Sequence, residues 1–143
     1  MMYGMADEEL SFLCTLFAQQ KEIEQVILYG SRAKGTYKPF SDVDITLLGY
    51  GLTRNHLNRL SAELDESSLP YRFDISIFSK LTNDALIEEI EKTGVVLYRR
   101  EGSAFVEESW NEYRNFKKTS FHFLFSNNFI TFVLNPVREY VFY

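Results

Sequence analysis

Apolar residues in the first hundred positions follow two different spacings. Helical spacing begins after Asp7, Thr53 and Thr82, and we expect each of these polar residues to cap a helix. Short apolar or alternating runs predict strands instead, over residues 25–29, 43–48, 71–78 and 95–98. Helices and strands therefore alternate along the chain. We predict an α+β fold, with a small mixed β-sheet and helices packed on one of its faces.

The composition of the chain changes near Gly102. All 7 glycines lie at or before this position, whereas residues 103–143 hold 12 of the 23 aromatic side chains. We therefore divide the chain into a domain of residues 1–102 and an aromatic-rich C-terminal extension of residues 103–143. The residue pattern of the extension predicts a helix capped by Ser103 and a hairpin that turns at Asn127 and Asn128. So many aromatic residues also favour contact with a second copy or with another protein.

Charge and cysteine content exclude several classes of function. The 143 residues carry 15 Lys and Arg against 20 Asp and Glu, a formal net charge of −5. Such an acidic chain is not expected to hold nucleic acid stably. Cys14 is the only cysteine, which excludes an internal disulfide and a cysteine-based zinc site. No run of ~20 apolar residues is present, and the first ten residues lack a signal-peptide pattern, so we expect a cytoplasmic protein without a membrane segment.

The first candidate site is a glycine turn at the end of the first predicted strand. Gly30 and Ser31 end this strand and lead into a short helix, so backbone N–H groups and a serine hydroxyl become available to a phosphate. Arg32, Lys34 and Lys38 follow without an intervening acid, which makes the stretch locally positive. By itself this feature is weak, since a Gly-Ser sequence at a strand end is most often only a turn.

Two carboxylates follow ten residues after the turn. Asp42 and Asp44 are two positions apart on a predicted strand, so both side chains point to one face. The alternating residues Val43 and Ile45 point into the core. Adjacent negative charges repel each other unless a cation lies between them, and carboxylate oxygens suit Mg²⁺. The alternative is an aspartate pair at the solvated end of a strand, without a ligand.

A third carboxylate, Asp74, lies within an otherwise apolar predicted strand. Aspartate is disfavoured in strands, and an unpaired buried charge is costly. Phe73, Ile75 and Ile77 share the face opposite to Asp74. If this strand lies beside the strand of the aspartate pair, three carboxylates converge and require a metal ion. The alternative is that Asp74 pairs with Arg72 or with a lysine.

The combined pattern is more specific than any of its parts. A Gly-Ser turn, ten further residues, an Asp-x-Asp pair and an aspartate on a later strand together resemble the signatures of the nucleotidyltransferase superfamily named after DNA polymerase β. The minimal nucleotidyltransferases (MNT), a small branch of that superfamily, are the more similar group, over about residues 8–100. The resemblance implies nucleotide-binding residues Gly30, Ser31 and Arg32, and metal-binding catalytic residues Asp42, Asp44 and Asp74.

For chemistry, the resemblance implies transfer of a nucleoside monophosphate to a hydroxyl group, with release of pyrophosphate. In that family the aspartate pair holds two Mg²⁺ ions, and the Gly-Ser turn holds the β- and γ-phosphates of the nucleotide. The third acid binds the catalytic metal and helps to deprotonate the acceptor hydroxyl. ATP is the usual donor. Two metal ions stabilise the charge that develops on the attacking and leaving oxygens.

The resemblance also implies a partner protein. Minimal nucleotidyltransferases commonly act as antitoxins towards a helical HEPN toxin, by transferring AMP to one of its tyrosines. The domain of residues 1–102 leaves no room for an acceptor-binding domain, so we expect another chain to present the acceptor. Two alternatives stay open: an adenylyltransferase for small molecules, similar to aminoglycoside-modifying relatives, and a non-catalytic antitoxin that only binds its partner. The sequence does not predict the nucleobase, the number of nucleotides transferred or the homo-oligomeric state.

Overall fold

Helices and strands alternate as predicted in the computed structural model, which describes residues 1–101. The elements in chain order are α1 (Asp7–Gln19), β1 (Gln25–Tyr29), α2 (Ser31–Lys34), β2 (Val43–Leu48), α3 (Arg54–Glu66), β3 (Phe73–Ile77), α4 (Asp84–Thr93) and β4 (Val95–Arg99). The third strand is shorter than expected at its end, because Phe78–Lys80 form a 3₁₀ turn. No helix among these residues is long and apolar enough to cross a membrane. The helix and hairpin predicted for the extension lie outside the described residues.

The four strands form one sheet in the order β3-β2-β1-β4. β1 pairs antiparallel with β2 and with β4, whereas β2 and β3 run parallel. Parallel neighbours need a long connection, which α3 supplies between β2 and β3. The sheet is therefore mixed, as the sequence predicts, and within residues 1–101 β3 and β4 form its two edges.

The larger part of the core lies on the sheet face that α1 and α3 cover. Val26 and Leu28 of β1 point to this face, as do Ile45 and Leu47 of β2, and all four are fully buried. The helices contribute Leu13, Leu16, Phe17, Leu60 and Leu64 to the same cluster. The period-two alternation of β2 therefore buries one apolar row, as predicted, and leaves the intervening side chains to the other face.

The opposite face carries a smaller apolar cluster beneath α4. Ile27 and Tyr29 of β1 belong to this cluster with Ile87 and Ile90 of α4. The predicted packing of helices on one face thus holds for α1 and α3, whereas α4 packs on the other face. The physical reason is that all five residues of β1 are buried, so both faces of this strand need cover.

Helix starts agree closely with the polar residues chosen from the sequence. Thr53 precedes α3 as expected. The other two helices start one residue away from the predicted position. Ala6 precedes α1, where its N–H donates to Oε2 of Glu9 at 2.9 Å, and Asn83 precedes α4, where its side chain accepts from the N–H of Leu86 at 3.2 Å. At the N-termini of α1 and α4, a nearby side chain thus accepts a hydrogen bond from a backbone N–H group, as a helix start requires.

Candidate active site

The glycine turn and two of the aspartates meet at one end of the second sheet face. Tyr29, the last residue of β1, is the register partner of Asp44 in β2, and Asp44 is the partner of Asp74 in β3. Side chains of direct partners on neighbouring strands lie on the same face. Gly30 follows Tyr29 immediately, so the predicted phosphate turn lies beside the aspartates. The strands of Asp44 and Asp74 are therefore neighbours, which is the condition that the sequence analysis set for convergence of the carboxylates.

Gly30 has φ 74° and ψ −157°, a conformation that is essentially restricted to glycine. A Cβ atom at this position would collide with a carboxylate oxygen of Asp44. The chain then enters α2, in which the N–H of Lys34 donates to the Gly30 carbonyl oxygen at 3.1 Å, and the N–H of Thr36 donates to the Ser31 carbonyl oxygen at 3.0 Å. The turn is therefore tightly folded and in close contact with the central aspartate.

The three predicted aspartates differ in exposure and influence one another. Asp42 and Asp74 are exposed, whereas Asp44 is half-buried between the strands. Burial, followed by the negative charges of Asp74 and Asp42, raises the pKa of Asp44 to about 6. A carboxyl group in this state gains from any nearby cation, because a cation would offset the repulsion between the acids.

Glu89 of α4 is a fourth acid near this site, and no sequence pattern points to it. Its negative charge also raises the pKa of Asp44, whereas the positive charge of Lys34 lowers it. Nζ of Lys34 and Oε1 of Glu89 form an ion pair at 2.7 Å. The sequence of α4 does not show which sheet face the helix covers, so only the tertiary arrangement brings Glu89 to the site.

The predicted metal site is only partly preassembled. Within residues 1–101, no three His, Cys, Asp or Glu side chains lie close enough together to enclose a metal ion as they stand. The backbone nevertheless places Asp44 and Asp74 on adjacent strands, and Asp42 precedes β2 by one residue. Carboxylate oxygens are the donors that Mg²⁺ prefers, and exposed side chains change rotamer within nanoseconds. The chemistry of the donor set therefore suits Mg²⁺, although the three side chains do not surround a metal position as they stand.

Arg32, which the resemblance assigns to nucleotide binding, has a buried side chain that bonds to the protein itself. Its side chain is only 1% exposed. Nε and Nη2 donate to the Ser41 carbonyl oxygen at 3.1 and 2.9 Å, and Nη1 donates to the Tyr3 carbonyl oxygen at 2.9 Å. The guanidinium also lies over the rings of Tyr37 and Tyr71. A buried charge needs such partners, and this need draws Arg32 inward, away from solvent.

The loop between α2 and β2 carries exposed aromatic side chains next to the aspartates. Phe40 is 96% exposed and lies two residues before Asp42, and Tyr37 is partly exposed in the same loop. The loop is internally bonded, because the N–H of Ser41 donates to the Lys38 carbonyl oxygen at 3.0 Å, and the N–H of Lys38 donates to Oγ of Ser41 at 2.8 Å. Exposed aromatic side chains at the edge of a polar site suit contact with another molecule. No sequence pattern points to Phe40, because exposure cannot be read from a loop sequence.

Solved structures share this fold. A toxin–antitoxin crystal structure with AMP-PNP superposes with a TM-score of 0.59 at 20% identity, covering 82% of this chain and 87% of that chain. A structure of a tri-AMPylated Shewanella oneidensis HEPN toxin in complex with an MNT antitoxin gives a TM-score of 0.56 at 17% identity, covering 82% of this chain and 87% of that chain. At these identities the similarity shows a common fold, and the predicted nucleotidyltransferase fold is confirmed.

Sequence comparison identifies the family. A probable protein adenylyltransferase, MntA, of Haemophilus influenzae is 33% identical over 95 residues, which cover 66% of this chain and 82% of that protein. The family described as polymerase beta nucleotidyltransferase matches residues 13–103, a range that contains the glycine turn and all three aspartates. With both the sequence match and the fold in agreement, this chain belongs to the polymerase β family of nucleotidyltransferases.

Proposed function

We propose that this chain transfers AMP from Mg²⁺-bound ATP to a tyrosine hydroxyl of a HEPN-type toxin and thereby acts as an antitoxin. The observation that carries the proposal is the shared sheet end, where Gly30 contacts Asp44 and Asp74 lies on the adjacent strand. The relative in Haemophilus influenzae is named as a protein adenylyltransferase, and structures with this fold contain HEPN toxins. These similarities favour a protein as the acceptor.

Each residue of the site has a role that its position supports. Ser31 and the first backbone N–H groups of α2 donate hydrogen bonds to the phosphates, while Gly30 leaves room for them. Asp42, Asp44 and Asp74 hold the metal. When bound, Mg²⁺ neutralises charge on the attacking and leaving oxygens. Asp74, exposed on the outer strand, accepts the proton of the acceptor hydroxyl.

The transfer balances as a single displacement at phosphorus. A bond forms between the acceptor oxygen and the α-phosphorus of ATP, and the bond from that phosphorus to the bridging oxygen of pyrophosphate breaks. The acceptor proton passes to the Asp74 carboxylate, and pyrophosphate leaves with the electron pair. Arg32 takes no part in this step, since its donors are bonded to protein carbonyl groups.

The acceptor protein is expected to contact the loop that carries Phe40. This side chain is the most exposed large apolar residue of the described part of the chain and lies two residues from Asp42. Phe40→Ala should lower transfer to the partner by about tenfold, because a buried aromatic contact is worth about 1–3 kcal/mol at an interface. Phe12→Ala is the matched control, since Phe12 is also exposed but lies on α1. Equal effects of the two variants on transfer would contradict this assignment.

The test of the function is transfer of label from α-³²P-ATP in the presence of Mg²⁺ and the HEPN-type protein encoded by a neighbouring gene. Wild-type protein should label the partner, whereas Asp42→Asn and Asp44→Asn should not. Asp65→Asn, at an exposed position on α3, is the control for loss of one negative charge. Label on an aminoglycoside but not on the protein would favour the small-molecule alternative. Tight binding and inhibition of the partner without label would favour the non-catalytic alternative.

A further inference from the structure

The Arg32 side chain connects α2, the loop that ends at Ser41 and the N-terminal turn at Tyr3. It lies on α2, directly after Ser31 of the glycine turn. Two of its nitrogens bond to the Ser41 carbonyl oxygen, directly before Asp42, and a third bonds to the Tyr3 carbonyl oxygen in the N-terminal turn. The guanidinium thus links the glycine turn to the residue that leads into the aspartate pair.

The loop that Arg32 spans is held differently at its two ends. Residues 34–40 are all exposed, although the ring of Tyr37 packs against Gly4 and the Arg32 guanidinium. The N–H of Thr36 donates to the Ser31 carbonyl oxygen and attaches the start of the loop to α2, and the bonds between Lys38 and Ser41 fold the rest of the loop upon itself. The paired bonds from Arg32 to Ser41 attach the other end of the loop, next to Asp42, and their fork geometry fixes direction as well as distance.

The environment of the guanidinium keeps it in one orientation. Its carbon lies 5.3 Å from the ring centre of Tyr37 and 4.8 Å from that of Tyr71. The Tyr71 hydroxyl donates to Oε2 of Glu9 at 2.6 Å, which brings a negative charge into the same cluster. A Cβ atom at Gly4 would collide with the side chains of Arg32 and Tyr37, so the N-terminal turn packs directly against them.

We propose that Arg32 is a positioning residue, which sets the place of Asp42 relative to the glycine turn and so prepares the metal site. This inference rests on the proposed function only in naming the ligand, a divalent cation with a nucleoside triphosphate. Residues that orient metal ligands typically change metal affinity by about 10–100-fold when they are replaced. Lysine keeps the charge of Arg32 but cannot form the paired bonds, so Arg32→Lys removes the positioning selectively.

Arg100 provides a matched control within the same fold. It too bonds to backbone carbonyl oxygens, at Ile23 (3.0 Å), Gln20 (2.7 Å) and Ala18 (3.3 Å), and its guanidinium carbon lies 5.9 Å from the ring centre of Tyr98. Its own N–H donates to the Glu24 carbonyl oxygen, directly before β1 begins, whereas Arg32 lies just beyond the other end of that strand. Arg100→Lys therefore reports a general loss of stability, without an effect on the aspartates.

The experiment compares full-length wild type, Arg32→Lys and Arg100→Lys in two measurements. The first is Mn²⁺ affinity with ATP present, read from the electron paramagnetic resonance of free Mn²⁺, a substitute for Mg²⁺. The second is hydrogen exchange of the amides of residues 35–42. We expect Arg32→Lys to weaken Mn²⁺ binding by roughly tenfold and to speed exchange in this loop. Arg100→Lys should change neither. If Arg32→Lys fails to fold, Tyr37→Leu serves instead, with smaller changes in the same direction.

The proposal would be overturned if Arg32→Lys bound Mn²⁺ as tightly as wild type and its loop amides exchanged at the wild-type rate. It would also be overturned if Arg100→Lys lost as much Mn²⁺ affinity and loop protection as Arg32→Lys. The proposed function fails separately. If wild type binds Mn²⁺ but transfers no AMP, the function is wrong while the positioning role is still decided by these two measurements. If wild type binds no Mn²⁺, loop exchange decides the positioning role, and unchanged exchange in Arg32→Lys overturns it.

Discussion

The two faces of β2 show how this small domain separates folding from chemistry. On one face, Val43, Ile45 and Leu47 are fully buried against α1 and α3. On the other, Asp44 is half-buried among acids, and its pKa is raised to about 6. Side chains only one position apart therefore make opposite contributions to the stability of the folded protein. The buried row stabilises the fold, whereas the acidic position weakens the protein by burial and by repulsion from its neighbours, which a bound cation would offset.

The strands adjacent to β2 repeat this contrast. In β3, Ile75 and Ile77 join the main core while Asp74 is exposed on the other face. In β1, apolar side chains line both faces, and the chain turns at Gly30 as soon as it reaches the level of Asp44. Strand alternation thus brings Asp44 and Asp74 to one surface while the opposite surface stays apolar. Substitutions on the two faces should accordingly have separable effects.

The largest expected effect is the loss of AMP transfer in Asp44→Asn. The amide cannot replace a carboxylate as a charged ligand for Mg²⁺, so transfer should fall by about three orders of magnitude or more. The fold should persist, because the substitution removes repulsion from Asp42 and Asp74 rather than a stabilising contact. Label transfer and circular dichroism on the same samples check both statements.

The control for this variant lies one residue away, on the buried face. Ile45→Ala should lower the free energy of unfolding by about 2–5 kcal/mol, because it leaves a cavity in the main core. The fraction that remains folded should still transfer AMP. If Asp44→Asn unfolded the protein, or if Ile45→Ala abolished transfer by the folded fraction, the separation between the two faces would be refuted.

A second prediction concerns the glycine turn. Gly30→Val should eliminate binding of Mg²⁺–ATP, because a side chain there collides with Asp44 and the backbone has a positive φ. Ser31→Ala should weaken binding by about 1.5–3 kcal/mol, the value of one hydrogen bond to a charged group. Titration calorimetry measures both affinities. Equal losses in the two variants would contradict the different roles given to these neighbouring residues.

The smallest expected effect is a pH dependence of stability in metal-free protein. The pKa of Asp44 is about 6 in the folded state against an ordinary value of 3.8, so the folded protein binds this proton more tightly than the unfolded chain does. The free energy of unfolding should therefore fall as pH rises between these two values. Solvent screens a half-buried carboxylate, and we expect a total loss of about 1 kcal/mol.

Denaturant unfolding of wild type and Asp44→Asn across this pH range isolates the contribution of the one carboxyl group. The variant should match wild type near the acidic end and exceed its stability by about 1 kcal/mol near neutral pH. Addition of Mg²⁺ at neutral pH should stabilise wild type but not the variant. A difference between the two proteins that is independent of pH would show that Asp44 is not perturbed by burial and neighbouring acids.

Much of this arrangement could be predicted from sequence, because alternation within a strand fixes which side chains share a face. Asp44 and Asp74 could be placed opposite the apolar row of their strands before the sheet order was known. Gly30 could be identified as a turn residue, since it ends an apolar run and precedes a serine. Each of these inferences depends only on residues that are close together in the chain.

The remaining features depend on contacts between distant segments. Arg32 follows the glycine turn in sequence, yet its guanidinium bonds to carbonyl groups of Tyr3 and Ser41, and no local pattern indicates this choice. Glu89 reaches the site because α4 covers the second sheet face. A positive residue near a phosphate turn therefore suggested a ligand contact, whereas the buried guanidinium is instead satisfied by carbonyl oxygens of the protein itself.

The most direct test of the proposed chemistry is the intact mass of the HEPN-type partner after incubation with wild-type protein, ATP and Mg²⁺. We predict an increase by one or more AMP groups, located on tyrosine by fragmentation, and no increase when Asp44→Asn replaces wild type. An unchanged partner mass with wild-type protein, under conditions where Mg²⁺–ATP binding is shown by calorimetry, would contradict AMP transfer to this protein. An equal mass increase with Asp44→Asn would contradict the role of the carboxylate site.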